Sequence, residues 1–298
     1  MTRMHDDEVE TDAALVAGLV AAQFPEWAAL PISPVVSFGT DNAIYRLGDE
    51  LSVRMPRIHW AVAPIEREWA WLPRIAPALP VEVPLPLALG APGEGYGWPW
   101  TVCRWVEGRH PPFEHGDDAL ALAVDLARFV RAMRSLDPTG APTTAWPRPL
   151  HEEDELVRTN LGLLEHELGV ARDVVVAVWE DALAAPHHAG PPTWIHGDLA
   201  PSNLLLREGR LTGVLDFGSM GLGDPASDLR AAWNLLPAHA RAVFRVEVGA
   251  DDATWARARG WVLLQALARL PYYSERNPPL AANARHVIAA LVAERRRA

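Results

Sequence analysis

Between residues 193 and 218 the chain twice runs a short apolar stretch into a small charged loop. Thr193-Trp-Ile195 leads into His196-Gly-Asp198, and Leu211-Thr-Gly-Val-Leu215 leads into Asp216-Phe-Gly218. Between them Leu199-Ala-Pro-Ser202 reads as a loop, Asn203-Leu-Leu-Leu206 as a strand and Arg207-Glu-Gly-Arg210 as a hairpin turn. Few folds satisfy this pattern, because two short antiparallel strands must hold Asp198, Asn203 and Asp216 around one small space. Gly197 and Gly218 allow the torsions that such tight loops need.

The regions flanking this block differ in kind. Upstream, an amphipathic helix is expected over residues 6–24, then strand, turn and strand over residues 35–56, with Ile44 to Leu47 and Leu51 to Met55 as strands. A helix follows over 64–75, then two more strands at 87–89 and 100–106. From there on helical periodicity takes over: 117–136, 150–168, 170–185, and beyond the block 225–236, 238–248, 252–270 and 280–297. At 298 residues the chain is long enough for two such lobes. Their boundary is expected near Arg104 to Glu107.

Asp198, Asn203 and Asp216 at this spacing suit phosphoryl transfer, which is mostly positioning and electrostatics around a spread negative charge. A carboxylate must orient the acceptor hydroxyl and take its proton, and Asp198 fits. Magnesium prefers a few hard oxygen ligands beside the phosphates, and Asn203 and Asp216 fit. His196 reads as a residue that orders the loop by hydrogen bonding. Either triad alone is unremarkable. The compound pattern, with Asn five residues after the first Asp, makes the reading specific.

The same residues, together with Asp224-Pro-Ala-Ser-Asp228-Leu, resemble the signature of the aminoglycoside/macrolide phosphotransferase family, which is related to choline kinase and more distantly to protein kinases. The resemblance spans most of the chain, strongest over residues 194–229, moderate over 39–72 and faint in the C-terminal helices. It implies an α+β, bilobal, protein-kinase-like fold: a nucleotide-binding antiparallel-sheet lobe over 1–103 and a mainly helical catalytic and substrate lobe over 104–298. It implies ATP or GTP with Mg2+, Asp198 as base, Asn203 and Asp216 as metal ligands, and Asp228 as a brace under the catalytic loop. Gly39-Thr-Asp-Asn42 would cover the phosphates, though one Gly falls short of the usual Gly-rich loop. The backbone of Cys103, Trp105 and Val106 would meet the nucleotide base.

One departure stands out. Such a fold normally carries a Lys on the third strand, paired to a helix Glu and touching the phosphates. All 27 basic side chains here are Arg, with no Lys anywhere. The role falls to Arg54 in Val53-Arg-Met-Pro-Arg57, with Glu68 as its expected partner and Glu66 as the second choice. Arg can hold phosphate and carboxylate through its planar fork, but it is bulkier than Lys.

Acceptor contacts are expected from Asp224, Trp233, Asn234, Tyr272, Tyr273 and Glu275, acids for amines and aromatics for sugar faces. Packing is an equal reading for several of these, since the chain has 13 Trp. His187-His188 reads as surface rather than metal site. The net charge of −11 argues against broad nucleic-acid binding and would suit a cationic acceptor. The single Cys103 excludes an intrachain disulfide. No apolar run approaches the span of a bilayer, so a cytoplasmic protein with no membrane partner is expected. The sequence does not fix oligomeric state. Within enzymes, a metabolic kinase acting on an amino alcohol, amino acid or sugar stays open. Outside them, a nucleotide-binding pseudokinase does, supported only by the Arg-for-Lys exchange.

Overall fold

The computed structural model describes residues 7–36, 40–111, 119–144, 149–164 and 169–297. Two compact units emerge. The first holds residues 1–108 and 213–218, and the second holds 109–212 and 219–298. The division falls a few residues beyond Arg104, and the first unit also takes back the six residues around Asp216.

In the first unit five strands form an antiparallel sheet in the order β1-β2-β3-β5-β4: β1 Ile32–Pro34, β2 Asn42–Leu47, β3 Leu51–Pro56, β4 Pro86–Gly90 and β5 Trp100–Arg104. Along β2 burial alternates with period two, so Ala43, Tyr45 and Leu47 face inward. They meet Val53, Met55, Trp100 and Val102 of the sheet and Val16, Leu19 and Val20 of helix α1, Ala13–Gln23. α1 is shorter than its apolar periodicity suggests. Asp12 caps it, accepting from Leu15 N at 2.8 Å, so the helix begins at Ala13 and the preceding acids lie ahead of it. Helix α2, Val62–Ile75, buries Ile65, Glu68, Leu72 and Ile75 and lies against β4 and β5. The one charged residue on that buried face is Glu68.

The second unit is mainly helical: α3 Ala119–Arg134, α4 Asp154–Leu163, α5 Arg172–Ala184, α6 Ala231–Leu235, α7 Ala238–Val248, α8 Asp252–Tyr273 and α9 Pro278–Arg295. α8 is its central rod, packed on α4, α5 and α9. Short strands hold the loops in place. β6 Thr193–Ile195 pairs antiparallel with β9 Gly221–Gly223, and β7 Leu204–Arg207 forms a hairpin with β8 Arg210–Val214. The single helix expected over 225–236 is instead a tight 3-10 turn, Ser227–Arg230, followed by α6. Among the described residues no helix is long and apolar enough to cross a membrane.

Candidate active site

In the first unit Arg54 stands on β3 with its side chain 10 % exposed. Its Nη1 donates to Glu68 Oε2 at 2.5 Å and its Nη2 to Asp216 Oδ1 at 2.6 Å. Asn42, two residues along β2 from the register partner of Arg54, completes the grip: with its amide oxygen toward the guanidinium it accepts from Nη2 at 3.0 Å and Nε at 3.3 Å. Glu66 is exposed, so the helix face selects Glu68 as the partner. Burial works against the charge on Arg54, but Glu68 and then Asp216 outweigh it and hold its pKa above the ordinary value. The neighbouring Arg57 is committed elsewhere, to Glu8 at 2.6 Å. Asp216 has φ 59°, a left-handed conformation uncommon outside Gly.

Farther along β5, the N–H of Arg104 donates to Leu85 O at 2.9 Å and that of Trp105 to Glu50 O at 2.8 Å. The N–H of Val106 has no partner among the described residues. Arg46 covers one face of the Trp105 ring, 3.9 Å from its centroid. Burial pushes the Cys103 thiol up to about 11, so it is neither nucleophile nor thiolate at neutral pH. Gly39 lies outside the described residues.

In the second unit Asp198 sits just past β6, its side chain 28 % exposed. Its loop is fixed from beneath. Asp228 Oδ2 accepts from His196 N and its Oδ1 from Gly197 N, both at 2.8 Å, and Arg230 donates to Gly197 O. Gly197, at φ 84°, could carry no side chain, since a Cβ would stand 2.8 Å from Ser219 O. His196 is wholly buried, and its Nδ1 accepts from Asp198 N at 3.2 Å. Asn203 donates through Nδ2 to Asp198 O at 2.8 Å and to Asp198 Oδ2 at 3.1 Å. The other oxygen, Oδ1, accepts from Gln265 Nε2 at 3.0 Å and Arg269 Nη2 at 3.1 Å. Burial raises the Asp198 pKa, but Arg269, Arg230 and His196, with the Gln265 hydrogen bond, more than reverse this, so the carboxyl titrates below the usual carboxylate range.

Residues 34–261, which hold Arg54, Glu68 and Asp216 of the first centre and Asp198, Asn203, Asp228 and Arg230 of the second, match the model of the phosphotransferase enzyme family. The chain belongs to that family. An aminoglycoside 3'-phosphotransferase of Escherichia coli is 28% identical over 126 residues, 41% of this chain and 46% of that one. The chain thus spans less than half the length of the curated relatives it matches. Among solved structures, the GDP complex of wild-type aminoglycoside 2'-phosphotransferase-IIIa superposes with a TM-score of 0.74 at 19% identity, covering 95% of this chain and 99% of that one. The apoenzyme of macrolide 2'-phosphotransferase MphH from Brachybacterium faecium gives 0.60 at 21% identity, covering 94% and 97%. The bilobal, kinase-like α+β fold is therefore the fold of this family member.

The expected acceptor residues separate once placed. Trp233 is 0 % exposed: its ring packs 4.6 Å from that of Trp255, and its Nε1 donates to Glu294 at 2.9 Å. Asn234 is buried and bonded to Leu199 O and Asn283. Both are core residues, a correction with a plain cause, since α6 is buried on every side. Asp224 is tied to Arg257 at 2.8 and 3.2 Å. This pair lines a cavity of about 470 Å³ with His151, His187, His188 and Trp261. Tyr272 and Tyr273 end α8, their rings edge to face at 4.8 Å, and Glu275 is exposed just beyond. The sequence reading missed Gln265, Arg269 and Arg230. The first two were detectable as the polar breaks, four residues apart, in the apolar run from Trp261 to Leu270.

Proposed function

We propose that this family member transfers the terminal phosphate of ATP or GTP to a hydroxyl of a small hydroxylated antibiotic, an aminoglycoside or a macrolide. The observation that carries the reading is Asp198: an ionised carboxylate on a braced loop, with one oxygen fully bonded and the other still able to accept. That is what a base for an acceptor hydroxyl needs.

Asp216 and Asn203 each offer a hard oxygen of the kind magnesium takes, an ion that binds few side chains and keeps several waters. Among the described residues, Asp216 has one oxygen on Arg54 and the other without a partner, and Asn203 Oδ1 meets only Ser202 Oγ at 3.4 Å. When bound, the ion would offset the charge of the phosphates. Arg54, held charged by Glu68, would meet the phosphates in place of the usual Lys, with Asn42 beside it. The N–H of Val106 would meet the base, between Cys103 and the loop that follows.

One observation favours a less cationic acceptor. Asp224, one of the two acids expected to receive amines, is already neutralised by Arg257, and Arg269 places a further cation on the base Asp198. A macrolide, sugar or amino alcohol suits this better than a polyamine. Tyr272 and Tyr273, one turn beyond Arg269, offer rings for a sugar face.

The test incubates purified protein with Mg-ATP or Mg-GTP and a panel of aminoglycosides and macrolides, reading phosphorylated product by mass spectrometry. A magnesium-dependent product is expected, reduced about 10²- to 10⁴-fold in Asp198→Asn at an unchanged Tm. Tight nucleotide binding without turnover of any acceptor would overturn the reading in favour of a pseudokinase.

A further inference from the structure

Nothing in the fold of α8 requires polar side chains at 265 and 269. The helix buries Leu263, Leu264, Leu267 and Leu270 and is stable on those contacts. Yet Gln265 and Arg269, one helical turn apart and so on one face, both reach the same atom, Asp198 Oδ1, across 67 and 71 residues of sequence. We infer that Gln265 and Arg269 are positioning residues that hold Asp198 so that only Oδ2 is presented to the acceptor hydroxyl.

A carboxylate oxygen has two in-plane sites for donors. On Oδ1 both are filled, by Gln265 at 3.0 Å and Arg269 at 3.1 Å. On Oδ2 one is filled, by Asn203 at 3.1 Å, and the other has no donor among the described residues. The acceptor O–H therefore donates to Oδ2, the oxygen on the Asn203 side. The two donors differ in what they supply. Gln265 fixes direction without charge. Arg269 fixes direction and adds a positive charge beside the carboxylate. Both are mounted on the longest helix of the unit, itself packed against three others, so the carboxylate inherits the rigidity of that rod.

The inference rests on Asp198 being the base of the proposed reaction, and its test keeps the two apart. The first arm is kinetic and uses whichever antibiotic the wild type phosphorylates, kanamycin and erythromycin being tried first. Arg269→Ala is expected to lower kcat about tenfold to a hundredfold, with the KM for nucleotide unchanged, because misorientation of a reacting group acts on the chemical step. Arg269→Lys is expected to recover most of the loss, and Gln265→Leu to show a smaller fall in kcat. An unchanged kcat in Arg269→Ala, or no recovery by Lys, overturns the inference. The second arm needs no turnover. In crystals of the double variant Gln265→Leu/Arg269→Met, the Asp198 carboxylate is expected to rotate or to occupy two orientations. A carboxylate that keeps its wild-type pose overturns the inference whatever the acceptor. A wild type that phosphorylates nothing counts against the proposed function alone, and the crystal then decides the positioning role.

Discussion

The arginine centre of the first unit and the carboxylate centre of the second are built on inverted plans. Around Arg54 a cation is enclosed by two carboxylates and an amide, and its side chain is 10 % exposed. Around Asp198 a carboxylate is held by a guanidinium and two amides, and its side chain is 28 % exposed. In the first centre the nitrogens facing Glu68, Asp216 and Asn42 are all engaged, so the group is fixed as a permanent charge. In the second, one acceptor position is left open, so the group can still exchange a proton. A binding cation profits from being held immobile with its charge fixed, while a base must keep an acceptor position open. The protein spends buried charge on both.

The sharpest way to break this contrast is to remove Glu68. Glu68→Ala leaves Arg54 buried with only the half-exposed Asp216 as counter-charge. Breaking a buried pair from one side is expected to destabilise the first unit by about 4 kcal/mol, read as a fall in the urea midpoint. Arg54→Lys tests the other half. Lys offers a point charge in place of a fork and cannot bond Glu68, Asp216 and Asn42 along the same directions. Nucleotide binding should persist but weaken, at a smaller stability loss than in Glu68→Ala. Equal stability of wild type and Glu68→Ala in urea would show that Arg54 is not held as a buried pair.

How far these centres could be read in advance depends on how local their parts are. The run from His196 to Asp216 was legible because the chemistry demands those residue types at short spacing, and the strand-like runs around them left little choice of geometry. Glu68 was legible as a partner, but its preference over Glu66 needed the helix face, on which Ile65, Glu68, Leu72 and Ile75 are buried together. The link from Arg54 to Asp216 spans 162 residues, and no periodicity reports it. Gln265 and Arg269 stand out only as polar breaks in an apolar run, and no local spacing ties them to Asp198, 67 and 71 residues away. Trp233 failed in the opposite direction: among 13 Trp, composition cannot separate a core ring from a ligand-facing one. The turn at Ser227–Arg230 was read as helix because its apolar spacing is the same. What the spacing could not show is that Asp228 there serves the N–H groups of residues 196 and 197.

That brace gives the next prediction, on the carboxylate centre. Asp228→Asn keeps one acceptor oxygen but turns an NH2 toward a buried N–H, leaving one of the two loop donors without a partner. The expected cost is about 2 kcal/mol, about half that of Glu68→Ala. Because the loop carries Asp198, activity should fall more steeply than stability. A variant that loses stability and retains full kcat would show that the brace supports the fold without setting the base.

The smallest effect is expected where a carboxylate serves neither centre. Asp125 on α3 accepts from Arg210 Nε and Nη2, both at 2.7 Å, and from Leu211 N at 3.2 Å. Burial raises its pKa, but the Arg210 hydrogen bonds and then the Leu211 N–H overcome this and hold it below the ordinary carboxylate value. The sign follows from linkage. A folded-state pKa below the unfolded one gives stability that is complete above the unfolded value and is lost as pH falls through the folded value. Asp125→Ala should therefore destabilise by about 1 kcal/mol at neutral pH, because Arg210 is half exposed and returns to water. As pH falls through the folded-state value the gap between variant and wild type should close, since both then lack the ionised group. Urea midpoints at neutral and acid pH read the difference directly. A gap that stays constant across that range would mean that Asp125 contributes by packing on α3 and not through its charge. The ion pair would then belong with the surface contacts, unlike the two centres in which burial makes charge count.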